Sequence, residues 1–149
     1  MWPDAQIPLL GGVRGGLKKS AIYDDFEYIY DAENRMSSAM SITPTTDSKK
    51  VEAGYDYQGR RVWKKVYTYT AGTWELDTTK TFTYDGWNVI QETTTGNSTN
   101  TNYYVWGLDL SGSLQGAGGI GGLLLWKKDN GTFFYLYDAN GNIEVNMKE

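Results

Sequence analysis

Apolar and polar residues alternate with a period of two over much of this chain. In segment 61–70, Trp63, Tyr67 and Tyr69 share one parity, while Val62 and Val66 share the other. Segment 79–85 alternates threonine with aromatic residues in the same way. Alternation of β-branched and aromatic side chains is typical of strands. No segment of ordinary helix length shows a convincing helical stripe, so the pattern predicts an all-β fold.

Short pairs rich in glycine and asparagine predict the turns between these strands. Ala71-Gly72 separates the two alternating segments, and Gly96-Asn97 and Asn130-Gly131 offer two further turns. Such pairs tolerate the positive φ that tight hairpins need. The predicted architecture is a series of consecutive antiparallel β-hairpins that form a curved sheet.

A Tyr-Asp unit recurs along the chain. Four copies begin at Tyr30, Tyr55, Tyr84 and Tyr137, and a degenerate copy, with Asp109, begins at Trp106. A repeat of roughly 20–30 residues suits one hairpin with its turn, with insertions in the loops. The repeat therefore predicts the same turn several times over.

Each residue of the unit has a physical reason to be there. The tyrosine ends a strand with an amphipathic ring, and the aspartate accepts hydrogen bonds from backbone N–H groups just downstream. A glycine or asparagine then supplies positive φ. The predicted turn residues are Tyr30, Asp31, Asn34, Tyr55, Asp56, Gly59, Tyr84, Asp85, Asn88, Tyr137, Asp138 and Gly141.

These units resemble the YD repeat of the Rhs family, which also occurs in Tc-toxin shell subunits and teneurins. The run Tyr104–Asp109 and the glycine stretch 116–124 resemble the later part of Rhs arrays. The resemblance, from about Tyr28 to Val145, implies an arc of a curved β-shell that encloses or displays another domain. It also implies a secreted or cell-surface protein. The family's Asp-Pro cleavage motif is absent from this sequence, so the resemblance carries over neither self-cleavage nor a toxin cargo.

The first 19 residues differ in composition from the rest of the chain. Residues 1–19 are rich in glycine and predict a flexible arm or a cap over one end of the sheet, while residues 20–149 form the predicted β-sheet domain. Residues 1–13 lack the basic and apolar regions of a signal peptide. No segment has the ~20 apolar residues that cross a bilayer, so we expect no membrane insertion.

Composition narrows the chemistry further. The chain has no cysteine and no histidine, which removes thiolates, the usual zinc ligands and the commonest general base. The net charge of −4 comes without a basic stripe, so nucleic acid is not an expected partner. We expect no catalytic residue, no cofactor and no metal site.

Two apparent ligand motifs have simpler interpretations. Segment 116–121 matches G-x-G-x-x-G, but the segment after it is too short for the helix that would hold a phosphate. Asp138, Asn140 and Asn142 resemble the start of a calcium loop, but Ile143 stands where that loop needs glycine. We interpret the first as a glycine-rich connection and the second as a turn. A hydrolase would need two carboxylates about 5–9.5 Å apart across a groove, and the sequence alone places no pair of carboxylates at that distance.

The expected function is a non-catalytic structural repeat module. The alternative is a carbohydrate-binding surface that uses exposed aromatic side chains, although aromatic residues in strands usually pack against their neighbours. Its candidate stacking residues are Trp63, Tyr67, Tyr69, Trp74 and Trp87. A short sheet has open edges, so we expect self-association through strand edges, unless the sheet closes on itself or residues 1–19 cover it. Another polypeptide domain or a glycan is the further candidate partner.

Overall fold

The computed structural model describes residues 19–148, with side chains for residues 20–144. The predicted N-terminal arm lies outside these residues, apart from the backbone of Lys19. The described residues form an all-β structure of eleven strands, as the sequence predicts. The strands are β1 Lys19–Tyr23, β2 Phe26–Tyr30, β3 Met36–Ser41, β4 Lys49–Tyr55, β5 Arg61–Thr70, β6 Thr73–Asp85, β7 Asn88–Thr95, β8 Asn100–Trp106, β9 Leu123–Lys128, β10 Gly131–Tyr137 and β11 Ile143–Lys148.

The order of strands in the sheet is the order of strands in the chain, from β1 to β11. Neighbouring strands run antiparallel, for example β2 with β3 and β4 with β5. The chain divides into two compact units, Met1–Thr79 and Lys80–Glu149. Each hairpin therefore packs mainly on the hairpins next to it in sequence.

The tight turns between strands follow the predicted chemistry with one shift. Ala71 and Gly72 connect β5 to β6 with φ of 50° and 87°, which is the pattern of a type I′ turn. The β9–β10 turn is centred on Asp129 and Asn130 instead of Asn130-Gly131, because Gly131 already pairs with Lys128 as the first residue of β10.

Little of the described chain is fully buried. Among residues 20–144 four are buried: Ala53 and Asp109, at 7 % and 6 % exposure, and the glycines Gly119 and Gly122. Most globular domains bury their apolar side chains between two packed layers, whereas residues 19–148 form strands and no helix. Among these residues, the faces of the strands are therefore covered by their own long side chains or left open.

The second unit shows both outcomes on opposite faces of β8–β10. On one face Trp126 lies between Tyr104 and Phe133, with ring centroids 6.5 Å and 5.2 Å away, and the Lys128 ammonium lies 4.2 Å from the Trp126 ring centroid. The other face is largely open to solvent. Its exposed apolar side chains are Tyr103, Val105, Phe134 and Leu136.

Candidate functional site

The turn after Tyr55 shows how an aspartate organises the connection between two strands. Oδ1 of Asp56 accepts hydrogen bonds from the backbone N–H groups of Gln58, at 3.0 Å, and Arg60, at 2.9 Å. Gly59 has a φ of 84°, and its N–H donates to the Asp56 carbonyl at 3.0 Å. The side chain thus satisfies N–H groups that the reversal removes from the strand ladder.

The Asp31 turn repeats this geometry. Its Oδ1 accepts from the N–H groups of Glu33, at 3.1 Å, and Arg35, at 2.9 Å, and Asn34 has a φ of 62°. Nε of Arg35 donates to Oδ2 of Asp31 at 2.7 Å. Burial alone would raise the pKa of the Asp31 carboxyl, but the hydrogen bonds and charge of Arg35 hold it below its usual value.

The Asp56 carboxyl has the same kind of partner. Nε of Arg60 donates to its Oδ2 at 2.7 Å. Burial again acts to raise the pKa of this carboxyl, and the hydrogen bonds from Arg60 and Gln58 outweigh it, so the pKa is lowered. Both first-unit carboxylates are therefore held in their charged form.

The first two aspartate turns are also bonded to each other. Nη1 of Arg35 donates to the Asp56 carbonyl at 2.9 Å, and the Arg35 guanidinium lies 5.0 Å from the centroid of the Tyr55 ring. The Tyr55 hydroxyl in turn donates to the Met36 carbonyl at 2.8 Å. One turn thus fixes the position of the next along the sheet.

In the second unit, the Asp138 turn uses an amide where the first unit uses arginine. Oδ1 of Asp138 accepts from the N–H groups of Asn140 and Asn142, both at 2.8 Å, and Oδ2 accepts from Nδ2 of Asn142 at 2.8 Å. Gly141 has a φ of 80°. The Tyr137 hydroxyl donates to the Leu123 carbonyl at 2.7 Å, as Tyr55 does to Met36. These contacts, led by the Asn142 amide, lower the pKa of Asp138.

The degenerate copy contains the most deeply buried carboxylate among the described side chains. Oδ1 of Asp109 accepts from the N–H and hydroxyl groups of Ser111, at 2.9 Å and 2.6 Å. Its Oδ2 accepts from the N–H groups of Ala117, at 2.7 Å, and Gly119, at 3.2 Å. The Ser111 hydroxyl contributes most to lowering the pKa of Asp109 to about 2. Asp109 thereby anchors the glycine-rich loop that connects β8 to β9.

This turn has further features of the full repeat. Gly112, three residues after Asp109, has a φ of 73°, and its N–H donates to the Asp109 carbonyl at 2.9 Å. Trp106 takes the place of the tyrosine, and its Nε1 donates to the Val89 carbonyl at 2.8 Å. Asp109 is not among the turn residues that the sequence predicts. The glycine at the third position was the signal that could have identified it.

The Tyr84-Asp85 copy has a different turn. Gly86, directly after Asp85, has a φ of 57°, and Asn88 is already the first residue of β7. Two residues, Gly86 and Trp87, therefore connect β6 to β7. This differs from the sequence expectation, which placed the left-handed residue at Asn88. The early glycine reverses the chain before the aspartate turn can form.

A register shift accompanies each of the four aspartate turns. It falls next to the aromatic residue that precedes the aspartate, so that one residue of the following strand is left without a partner. Such bulges sharpen the local twist and redirect side chains. The aromatic residues at the four shifts are Tyr30, Tyr55, Trp106 and Tyr137.

The predicted stacking residues of the first unit lie together. Trp63, Tyr67 and Tyr69 share one face of β5, and Trp74 packs edge-on against Tyr69 with a centroid distance of 5.0 Å. All four are only partly exposed. Trp87 is 62 % exposed and lies in the β6–β7 turn of the second unit. The structure therefore brings four of the five residues together.

Charged side chains cover the Tyr67 ring. The Lys50 ammonium lies 4.1 Å from the Tyr67 ring centroid and 3.0 Å from Oε1 of Glu52. The Tyr67 hydroxyl donates to Oε2 of Glu52 at 2.7 Å, and this bond raises the pKa of Tyr67 to about 12. The packing of Tyr67 leaves little of its ring available for stacking on a ligand.

Trp63 has a different environment, because its indole lies across Gly54 on β4. A Cβ at Gly54 would overlap the indole ring, and Trp63 pairs directly with Gly54 in the ladder. Beside it is a groove of about 470 Å³. The groove is lined by Ile29, Ser37, Ser38, Met40, Lys50, Glu52, Ala53 and Trp63.

Within the part of the chain that is described, no group of three or more acidic residues is placed to hold a metal ion. Over the same residues, no helix has the length and apolar character needed to span a membrane. No protein-family model matches this chain, and none of the curated proteins matches it.

Proposed function

We propose that this chain is a non-catalytic structural module, a section of a β-sheet wall of the Rhs type that encloses or displays another polypeptide domain. The observation that carries the proposal is the series of bonded turns along consecutive hairpins. Arg35 bonds the Asp31 turn to the Asp56 turn, and Tyr55 and Tyr137 each bond their turn to the preceding strand.

The hydrogen bonding of these turns favours a rigid structural role over a catalytic one. Each carboxylate is occupied by hydrogen bonds from its own turn, so it is not presented to a substrate. Buried or half-buried carboxylates with satisfied partners are structural elements that resist rearrangement. A wall needs this property, because its shape must persist while one face contacts solvent and the other contacts what it encloses.

The strand order supplies the route to a larger wall. β1 and β11 stand at the two ends of the strand order, so each has one strand neighbour among residues 19–148. Edge strands present backbone groups that readily pair with another chain. We therefore expect a second copy to add to one of these edges. The same proposal places the protein outside the cell or at its surface, on the strength of the Rhs resemblance.

The experiment is size-exclusion chromatography with light scattering over a wide concentration range. The proposal expects a dimer or larger species whose mass rises with concentration. Ile22→Lys puts a charge on the edge strand β1 at a side chain that is 48 % exposed, and it should lower the mass. Leu76→Lys is the matched control, because Leu76 is 54 % exposed but lies in the interior strand β6.

The two variants make the result decisive. A loss of association in Ile22→Lys alone supports pairing through the β1 edge. A monomeric mass at every concentration contradicts the proposal that this chain extends a wall through its edges.

A further inference from the structure

The groove beside Trp63 has the construction of a small binding site. Its floor consists of two cross-strand pairs of β3 and β4, in which Ser38 faces Glu52 and Met40 faces Lys50. At about 470 Å³, its volume falls within the range of small-molecule sites, roughly 300–1,000 Å³. Apolar and polar side chains thus alternate across one open depression in the first unit.

The Trp63 indole is a fixed platform at one wall of the groove. Gly54 leaves space that the indole ring fills, so the ring is supported from below by backbone. A supported ring loses little rotational freedom when a ligand packs on it, which favours binding. The Lys65 ammonium lies 5.4 Å from the Trp63 ring centroid, which leaves this ring less closely covered than the Tyr67 ring, where Lys50 lies at 4.1 Å.

The polar wall of the groove has no net charge. The Lys50 ammonium and the Glu52 carboxylate form an ion pair at 3.0 Å, and the Tyr67 hydroxyl holds the second carboxylate oxygen at 2.7 Å. Burial tends to raise the pKa of Glu52, but Tyr67 and Lys50 outweigh it and lower that pKa. The charges of Lys50 and Glu52 therefore compensate each other, and the wall presents both donors and acceptors at fixed positions, with the Lys65 ammonium as a further cation 5.4 Å from the Trp63 ring centroid.

A pyranose ring has the complementary surface. One of its faces is made of C–H groups that pack on an aromatic ring, and its edge carries hydroxyl groups that both donate and accept hydrogen bonds. We propose that the groove between Trp63, Met40, Ser38, Lys50 and Glu52 binds one sugar unit of a neutral carbohydrate. The apolar face of the sugar lies on Trp63, and its hydroxyls contact Glu52, Lys50 and Ser38.

This proposal is independent of the structural role, because it concerns one face of β2–β5 and not the strand edges. The direct experiment is isothermal titration calorimetry of the full chain with three neutral trisaccharides: maltotriose, cellotriose and chitotriose. Tryptophan fluorescence is recorded in parallel. The expected result is saturable binding of at least one of them, with a dissociation constant on the order of 1 mM, together with a fluorescence change.

Two variants assign the binding to the groove. Ser38→Phe fills the floor with a side chain that strands accommodate well, and it should abolish binding while the far-UV circular dichroism is unchanged. Trp87→Ala removes an exposed tryptophan of the second unit and should leave binding unaltered. Trp63→Ala is less informative, because it removes the ring that packs on Gly54 and can change the fold.

The outcomes separate clearly. Binding that is lost in Ser38→Phe and kept in Trp87→Ala supports the groove. The proposal is overturned by the absence of saturable binding with all three sugars, or by equal binding in Ser38→Phe. A preference for an acidic sugar such as a sialyl-trisaccharide over the neutral ones overturns the choice of ligand class. All titrations use a protein concentration at which the solution mass is constant. A failure of sugar binding is then distinguishable from a failure of the proposed association through strand edges.

Discussion

Two turns of this protein begin with the same Tyr-Asp pair and have different structures. After Tyr55, the Asp56 carboxylate accepts two backbone hydrogen bonds from Gln58 and Arg60, and the left-handed residue is Gly59. After Tyr84, the left-handed residue is Gly86, and the next strand begins at Asn88. The position of the first left-handed glycine after the aspartate therefore accompanies the choice between the two turns.

The physical reason lies in where the N–H groups point. When the residue after aspartate reverses the chain, as Gly86 does, the N–H groups two and four positions on lie in or near the next strand. The Trp87 N–H, two positions after Asp85, donates to Oε1 of Gln115 at 3.1 Å and not to the carboxylate. When the reversal waits until the third position, as at Gly59, these N–H groups converge on the carboxylate. An aspartate that follows a tyrosine is therefore structural in the Asp56 turn and peripheral in the Asp85 turn.

Lowering the pH should have a larger effect on stability than any substitution, because it protonates the carboxylates that organise one of the two kinds of turn. The carboxyls of Asp31, Asp56, Asp109 and Asp138 have pKa values below the usual one, so the unfolded chain takes up protons first as the pH falls. Their stabilising contribution is complete above about pH 4 and is lost as the pH falls toward 2. We expect the thermal midpoint to drop by roughly 10 °C or more between pH 5 and pH 2.5, measured by circular dichroism. An unchanged midpoint would contradict the role assigned to these carboxylates.

Asp109→Asn should be the most damaging single substitution. The amide would place an NH₂ group against N–H donors that now meet a carboxylate oxygen, at a side chain that is 6 % exposed. The thermal midpoint should fall by about 8 °C. Asp138→Asn is the control, because its turn is exposed to water that can take over the hydrogen bonds. A larger loss in the control would show that burial is not the deciding factor.

Gly141→Ala and Gly59→Ala separate strain from packing. Both glycines have positive φ, 80° and 84°, so alanine at either position costs about 1 kcal/mol of backbone strain. A Cβ at Gly141 would also approach Ile120 to 2.6 Å, whereas Gly59 has open space around it. Gly141→Ala should therefore lose about 2–3 kcal/mol in urea unfolding, and Gly59→Ala about 1 kcal/mol. Equal losses would mean that the glycine-rich loop yields without cost.

Asp56→Ala and Asp85→Ala test the central comparison directly. Asp56→Ala leaves two turn N–H groups without their acceptor, and the thermal midpoint should fall by about 4 °C. Asp85→Ala should change it by about 1 °C or less, because that turn depends on the left-handed Gly86. If both variants lose the same stability, the Tyr-Asp pair acts alike in both turns and the comparison fails.

Tyr137→Phe should have the smallest effect. It removes one hydroxyl that donates to the Leu123 carbonyl at 2.7 Å and keeps the ring. The expected loss is about 1 kcal/mol, measured by urea unfolding. Tyr23→Phe, at a side chain that is 62 % exposed in the edge strand β1, is the control and should be neutral. A neutral Tyr137→Phe would show that the bond to the preceding strand adds nothing.

Much of the fold could be predicted from the sequence, because both signals behind it are local. The alternation in 61–70 predicted a strand that the structure assigns to the same residues, β5. The Ala71-Gly72 pair predicted its turn, since two consecutive residues with positive φ connect β5 to β6. The Asn130-Gly131 shift was not predictable from local spacing, because the pairing of Gly131 with Lys128 decides which residues form the turn.

The candidate sites were harder to predict, because they depend on register and on long-range contacts. The Asp109 network needs Ala117 and Gly119, which a loop brings back to the carboxylate. The groove needs Trp63 to lie opposite Gly54, and no local pattern reveals which residues face each other across two strands. Lys50 and Glu52 line the same groove from β4, and their position there also depends on the register between neighbouring strands.

The agreement between strand order and chain order has a consequence for how the chain folds. Every hairpin finds its main partners among residues made just before or just after it, so the contacts span short stretches of sequence. All-β proteins usually fold slowly because their strands must close long loops, and short-range contacts shorten that search. This topology lets each hairpin dock as it is synthesised on the edge left by the one before, so the sheet can grow in step with translation.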